Sequence, residues 1–285
     1  MTRFSSCEMN FAQMKKNLKI LPFLVVSIYA LLTMAGCVTQ RDFVWPMSVE
    51  EKVDRPVPPG ASLVWITSED TNEKVEGWFF PAPDATATNK APALIFFHGN
   101  NEVMDHCLEF PETYSKYGIS VLLVEYRGYG RSEGAPGKER VRSDMIKFHE
   151  WLLVQDIVDP QKIVYQGRSI GGAVAADLAE VRPPAAMILT STFTSMQRMF
   201  WRFGVPGFIA SDKYQTKEVI QNLDIPVLVM HGKRDNIIPV NNGRDLGSAR
   251  DGIQYIEYDA NHDLPVVWSE FEQHLIDFLR ENQIL

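Results

Sequence analysis

The chain has 285 residues, a net charge of -8 and 45% hydrophobic residues, enough apolar mass for one large core. With 22% charged residues, 18 Gly and 17 Pro, it is not a disordered, collagen-like or coiled-coil chain. The negative balance and the lack of a basic block argue against nucleic-acid binding and point to a neutral substrate or partner.

Near the N-terminus, Met14, Lys15, Lys16, Asn17, Leu18 and Lys19 precede an apolar run over residues 20–36, broken only by Pro22, Ser27, Tyr29 and Thr33. A basic start followed by such a run has the form of a secretory signal. The run ends in Met34, Ala35, Gly36 and Cys37, which resembles a bacterial lipoprotein signal and implies Cys37 as the lipidated first residue of the mature chain. Met34 stands where Leu is more usual. The alternatives are an uncleaved membrane anchor and a buried core helix, since the run lies near the lower length limit for spanning. Residues 1–13 add a stretch that a signal does not need, so Met14 is an alternative start.

The lipoprotein resemblance divides the chain into a signal over residues 1–36, a tether over 37–60 and a domain over 61–285. Pro56, Pro58 and Pro59 favour an extended tether. It also implies a protein held at a membrane of the bacterial cell envelope by its N-terminal lipid, facing the periplasm or the exterior. Of three cysteines, Cys7 and Cys37 lie in this leader region and Cys107 in the body, so a disulfide framework is not expected. Cys107 sits in a polar stretch with no strand-turn-helix frame and reads as a half-buried small hydrophobe rather than a nucleophile.

The domain opens with two strands, over 61–66 and 75–80, around a polar turn, which predicts an antiparallel hairpin. Short apolar runs rich in Val, Ile and Phe follow at 93–97, 120–125, 163–166, 187–190, 227–230 and 254–258, the pattern of buried parallel strands. Between them, residues 139–153 and 174–179 have helical spacing, and residues 265–282 place Trp268, Phe271, Leu275 and Phe278 on one face. The alternation predicts an α/β fold with a doubly wound, mostly parallel sheet. Residues 194–223 are longer than a usual connection and carry Phe200, Trp201, Phe203, Phe208 and Tyr214. They suggest a short helical lid over a pocket, although such aromatics are as often plain core.

Four strand ends carry chemistry. Gly167, Arg168, Ser169, Ile170, Gly171 and Gly172 join a strand to a small-residue helix. So tight a turn needs flanking residues without side chains, and it exposes the serine hydroxyl at a helix N-terminus where developing negative charge is favoured. Alone, the G-x-S-x-G pattern is weak, because it arises by chance. Upstream, His98, Gly99, Asn100 and Asn101 close an apolar strand. Acyl transfer needs two backbone donors for the oxyanion, and Asn100 and Ile170 are placed to supply them; an ordinary strand-ending turn is the alternative. Asp235 follows the strand at 227–230, and His262 follows the strand at 254–258. Ser169, Asp235 and His262 thus fall beyond C-terminal strand ends, where open α/β sheets place their sites.

The order nucleophile, acid, histidine resembles the α/β-hydrolase family, and within it the serine-aminopeptidase-like branch that includes acyl-protein and lipid esterases. Glu125, Tyr126, Arg127, Gly128, Tyr129, Gly130, Arg131 and Ser132 are similar to a further family segment, with Glu125 where Asp is commoner. The resemblance covers about residues 92–279. It implies a serine hydrolase acting on an ester, thioester or amide, with Ser169 as nucleophile, His262 as general base and Asp235 orienting the histidine. Asp259 and Asp263 share the histidine's own loop and are worse placed to orient it. His98 and His231 precede strand-end glycines and read as structural, while His106, His149 and His274 lie on expected helices. No His/Cys/Asp spacing marks a metal and no glycine-rich phosphate loop follows the first strand, so no cofactor is expected.

Dehalogenase and epoxide-hydrolase chemistry would need a carboxylate at position 169. A peptidase of the same fold and a tethered binding protein without turnover are the remaining alternatives. Natural substrate, acyl length and oligomeric state are not encoded in these motifs.

Overall fold

The computed structural model describes residues 44–46, 56–264 and 268–285. The expected signal, the alternative start at Met14, Cys37 and most of the expected tether lie outside them. Among the described residues, no helix is long and apolar enough to cross a membrane.

In chain order the elements are β1 (Ser62–Thr67), β2 (Lys74–Phe80), β3 (Ala91–Phe97), α1 (Glu109–Ser115), β4 (Ser120–Val124), α2 (Lys138–Leu153) and β5 (Val158–Arg168). There follow α3 (Ile170–Ala179), β6 (Ala186–Thr190), α4 (Met196–Arg202), α5 (Thr216–Asn222), β7 (Val227–Gly232), α6 (Asn241–Gly247), β8 (Gln254–Tyr258) and α7 (Trp268–Glu281). The strands form one eight-stranded sheet in the order β1-β2-β4-β3-β5-β6-β7-β8. β1 pairs antiparallel with β2, and β2 with β4; every other pairing is parallel.

Every residue of β4, β6 and β7 is buried, as expected for strands covered on both faces. One core cluster collects Met145, Phe148, Val174, Leu178, Met199, Ile220 and Leu246 from α2 to α6. The other collects Phe110 and Tyr114 from α1 with Phe271, Leu275, Phe278 and Leu279 from α7. Burying each of these large side chains stabilises the fold by about 1.5–3 kcal/mol, which is why the apolar stripe of α7 decides where that helix docks.

β5 starts earlier than its apolar run suggests, because Asp159, Pro160, Gln161 and Lys162 mask a strand start that pairs Ala91 with Val158. Glu125 falls just beyond β4. Cys107 is fully buried rather than half-buried; a 3-10 turn over Met104–Cys107 tucks its thiol under the sheet, and burial pushes its pKa well up. The aromatic insertion folds as α4, a 3-10 turn over Gly207–Ile209 and α5.

A larger difference lies before the domain. Within the segment read as a tether, Trp45 is 0% exposed. Its Nε1 donates to Asp212 Oδ2 at 2.6 Å, and its ring stands edge-on to Tyr126, Tyr129 and Tyr214. The short apolar cluster Phe43, Val44, Trp45, Pro46 and Met47 stands in an otherwise polar, proline-rich segment and is too short to show a periodicity, yet burying Trp45 removes about as much apolar surface as any side chain can offer.

Candidate active site

The sheet positions the site through its registers. β3 and β5 pair with Phe97 opposite Gly167, so Ser169, two residues on, faces Asn100, three residues on. These two strands flank the point where chain order reverses, since β3 connects to β4 on one side and β5 lies on the other. Crevices of α/β sheets open at such points. Two strands further along, β7 and β8 pair Gly232 with Tyr258, which brings the loops carrying Asp235 and His262 together.

At the β5–α3 turn, Ser169 has φ 57° and ψ -122°, a conformation that costs a non-glycine residue on the order of 1–3 kcal/mol. The surroundings enforce it. The Ser169 N–H donates to the Thr190 carbonyl at 2.9 Å, and the Ser169 carbonyl accepts from Thr192 Oγ1 at 2.6 Å. A Cβ on Gly171 would collide with the carbonyls of Phe97 and His98, and one on Gly167 would collide with the backbone of Gly171. Ile170 opens α3, so its N–H is among the first-turn donors that have no intrahelical acceptor.

The loop after β3 rests on buried polar groups. His98 places Nε2 2.6 Å from Glu125 Oε1 and Nδ1 2.7 Å from the Gly99 carbonyl. The Gly99 carbonyl accepts from Nδ1, and the Glu125 carboxylate beside Nε2 favours the charged ring. Burial opposes that charge, and the Glu125 carboxylate outweighs it, holding the His98 pKa above its ordinary value. Glu125 also accepts from the backbone N–H groups of Met104 and Tyr126. Glu102 accepts from the Gly99 N–H and pairs with the Arg168 guanidinium. Tyr126 Oη donates to the His98 carbonyl at 2.8 Å, and Tyr129 Oη to the Asn100 carbonyl at 3.0 Å. The sequence marked His98 only as a structural strand-end residue. Its acidic partner lies 27 positions away, and the Glu in place of Asp at that position was the sole visible trace.

Asp235 is held by its own turn, Oδ1 accepting from the N–H groups of Ile237 at 2.9 Å and Ile238 at 2.8 Å. Its Oδ2 lies 2.7 Å from His262 Nδ1. Burial would raise its pKa, but hydrogen bonds from His231 and His262 prevail and hold the carboxyl well below the usual range. The Nδ1 proton of His262 is therefore directed at a carboxylate, which leaves the Nε2 lone pair available on the other side of the ring. His231 is a second imidazole on the same acid, with Nε2 3.3 Å from Asp235 Oδ2 and 2.8 Å from the Ile238 carbonyl. Asp259 pairs with Arg234 in solvent, and Asp263 lies at the rim of the cavity.

Two cavities meet at Ser169. One, of about 150 Å³, has a mixed wall that includes Asn100, Glu102, Arg168, Ser169, Ile237 and His262. The second, of about 90 Å³, is apolar, with Val44, Ile170, Phe193, Met196, Met199 and Phe203 in its wall beside Asn100 and Ser169. A roomier cleft of about 280 Å³ lies elsewhere, between Lys138, Asp177 and α5. Two of its charged groups pair with each other, Lys138 with Asp177 at 3.0 Å, and none of the residues expected to carry chemistry lines it. Ser169, His262, Asn100 and Ile170 are thus brought to one place with Asp235 behind the histidine, while Cys37 lies outside the described residues.

A family model described as alpha/beta hydrolase fold matches residues 92–217. An uncharacterized protein of Mycobacterium tuberculosis is 34% identical over 79% of this chain and 80% of its own length. The lysophosphatidylserine lipase ABHD12 of Danio rerio is 28% identical over 54% of this chain and 46% of its own. Among solved structures, the Pyrococcus furiosus esterase Pf2001 superposes with a TM-score of 0.65 at 21% identity, covering 81% of this chain and 95% of that one.

Proposed function

Since the chain belongs to the α/β hydrolase family and is a hydrolase by that kinship, we propose that it cleaves carboxylic ester or thioester bonds through an acyl-enzyme on Ser169. His262 Nε2 takes the Ser169 hydroxyl proton as Oγ attacks the substrate carbonyl. The N–H groups of Asn100 and Ile170 receive the oxyanion. As the tetrahedral intermediate collapses, His262 returns the proton to the departing alcohol or thiol; water then repeats the sequence and releases the acid. Asp235 holds the imidazole in the required tautomer and stabilises its cation.

The observation that carries this proposal is the 2.7 Å contact between His262 Nδ1 and Asp235 Oδ2 beside a serine held at φ 57°. The apolar cavity beside Ser169 offers space for an acyl chain, which supports an acyl ester or thioester as substrate. The domain is read as residues 61–285 with a short lid over 194–223, and the mature protein as a lipoprotein of the bacterial envelope anchored through Cys37.

The test is hydrolysis of a chromogenic acyl ester series by the detergent-solubilised full chain, beside Ser169→Ala. Turnover that vanishes in the variant is expected. Aminoacyl amides cleaved much faster than acyl esters would replace an esterase with a peptidase. If the wild type neither turned over nor reacted with a serine-directed phosphonate, a tethered binding protein would be the better description.

A further inference from the structure

The segment before the domain reaches the same loop that is proposed to bind the oxyanion. Asn100 Nδ2 donates to the Val44 carbonyl at 3.3 Å. Tyr126 and Tyr129, whose hydroxyls hold the carbonyls of His98 and Asn100, both pack edge-on against Trp45, at 5.3 and 6.4 Å between ring centres. Trp45 is itself fixed from behind by Asp212, which also accepts from the Lys138 N–H at the start of α2. Val44 completes the wall of the apolar cavity next to Ser169. Beside the Glu102 and Glu125 contacts that hold Gly99 and His98, the Asn100 side chain and the two tyrosines on this loop thus end on residues 44 and 45.

We propose that Val44 and Trp45 form a strap that positions the Asn100 N–H for the transition state, making Trp45 a positioning residue of the hydrolase although it lies outside the domain. The proposal rests on the oxyanion role given to Asn100. Its physical basis is the narrow tolerance of such donors, since a displacement of about 1 Å by a remote change costs on the order of a hundredfold in rate. A ring lost at position 45 leaves the two tyrosines free to shift into the space, and the Asn100 peptide moves with them.

The experiment compares Trp45→Ala, Trp45→Phe and Tyr129→Phe with the wild type in the full chain, following kcat and KM on one acyl ester and on its thionoester. The larger, weakly accepting sulfur is a poor guest for a well-aligned oxyanion site, so the ester-to-thionoester rate ratio reports alignment directly. Expected are a loss of kcat of about tenfold or more for Trp45→Ala with KM within about twofold, and a ratio that falls with it. Trp45→Phe restores most of the rate because its ring still covers Tyr126, and Tyr129→Phe shows a smaller loss in the same direction. Unchanged kcat and ratio in folded Trp45→Ala would overturn the strap while leaving the esterase proposal intact. Should Trp45→Ala fail to fold, Tyr129→Phe decides, and wild-type ratio and kcat there overturn it. A wild type inert to ester and phosphonate would remove the esterase proposal itself, and the strap with it.

Discussion

Around Ser169 the turn is locked by main-chain contacts at Gly167 and Gly171, whereas Met196, Met199 and Phe203 supply part of the wall of the apolar cavity beside it. On the first side, Gly167 and Gly171 have no space for a methyl group and Gly172 would bring one within 2.7 Å of Thr192. On the second, Trp201, Phe203 and Phe208 are 56%, 51% and 73% exposed, with room for other residues. The backbone around Ser169 thus admits no change, while the exposed aromatics of the insertion do, and on the proposed function the insertion is where acyl preference would be set.

The largest effects belong to the backbone side. Ser169→Ala lowers kcat by on the order of a millionfold, and Asp235→Asn by about ten-thousandfold, in steady-state ester hydrolysis with the fold checked by circular dichroism. Wild-type activity in either would separate the geometry from the chemistry altogether. Gly171→Ala comes next: the clash with the Phe97 and His98 carbonyls destabilises by more than about 4 kcal/mol in urea unfolding, and a well-folded, active variant would show the turn to be less rigid than its contacts imply. Across the cavity, Phe203→Ala shifts the preference between long and short acyl esters by about tenfold or less, with little change in melting temperature. Equal effects on all chain lengths would mean that Phe203 does not meet the acyl group.

The smallest effect is a pH dependence. The raised His98 pKa means that its pair with Glu125 stabilises the fold fully below the unfolded histidine's 6.5 and loses that contribution as pH rises through the raised value. Urea unfolding across this window should fall more steeply in the wild type than in His98→Gln. Parallel curves would show that the pair does not titrate there.

What the sequence made legible was whatever repeats or sits in a fixed local frame. Apolar runs of strand length marked the sheet, and the glycines at 167 and 171 marked the turn, because the physical demand lies within a few residues of the signal. Ser169, Asp235 and His262 are marked by the strands they follow; Ser169 and His262 line one cavity, and Asp235 contacts His262 from behind. Long-range polar pairing left no such mark. His98 finds Glu125 at 2.6 Å across 27 positions, and His231 joins Asp235 only because the 235–238 loop folds back over it. The depth of Cys107 depends on how a short 3-10 turn lies against the sheet. Trp45 lies in an apolar cluster from Phe43 to Met47, a visible signal too short to give a periodicity and masked by the prolines and polar residues on either side.

The docking of Val44 also sets a working radius for the whole molecule. Val44 is seven positions on from Cys37, and at most about 3.6 Å of extension per position gives a reach on the order of 25 Å. On the proposal that Cys37 carries the lipid, the mouth of the cavity works within about that distance of the membrane surface, like a tool on a short leash. A substrate held deeper than that would have to come to the enzyme.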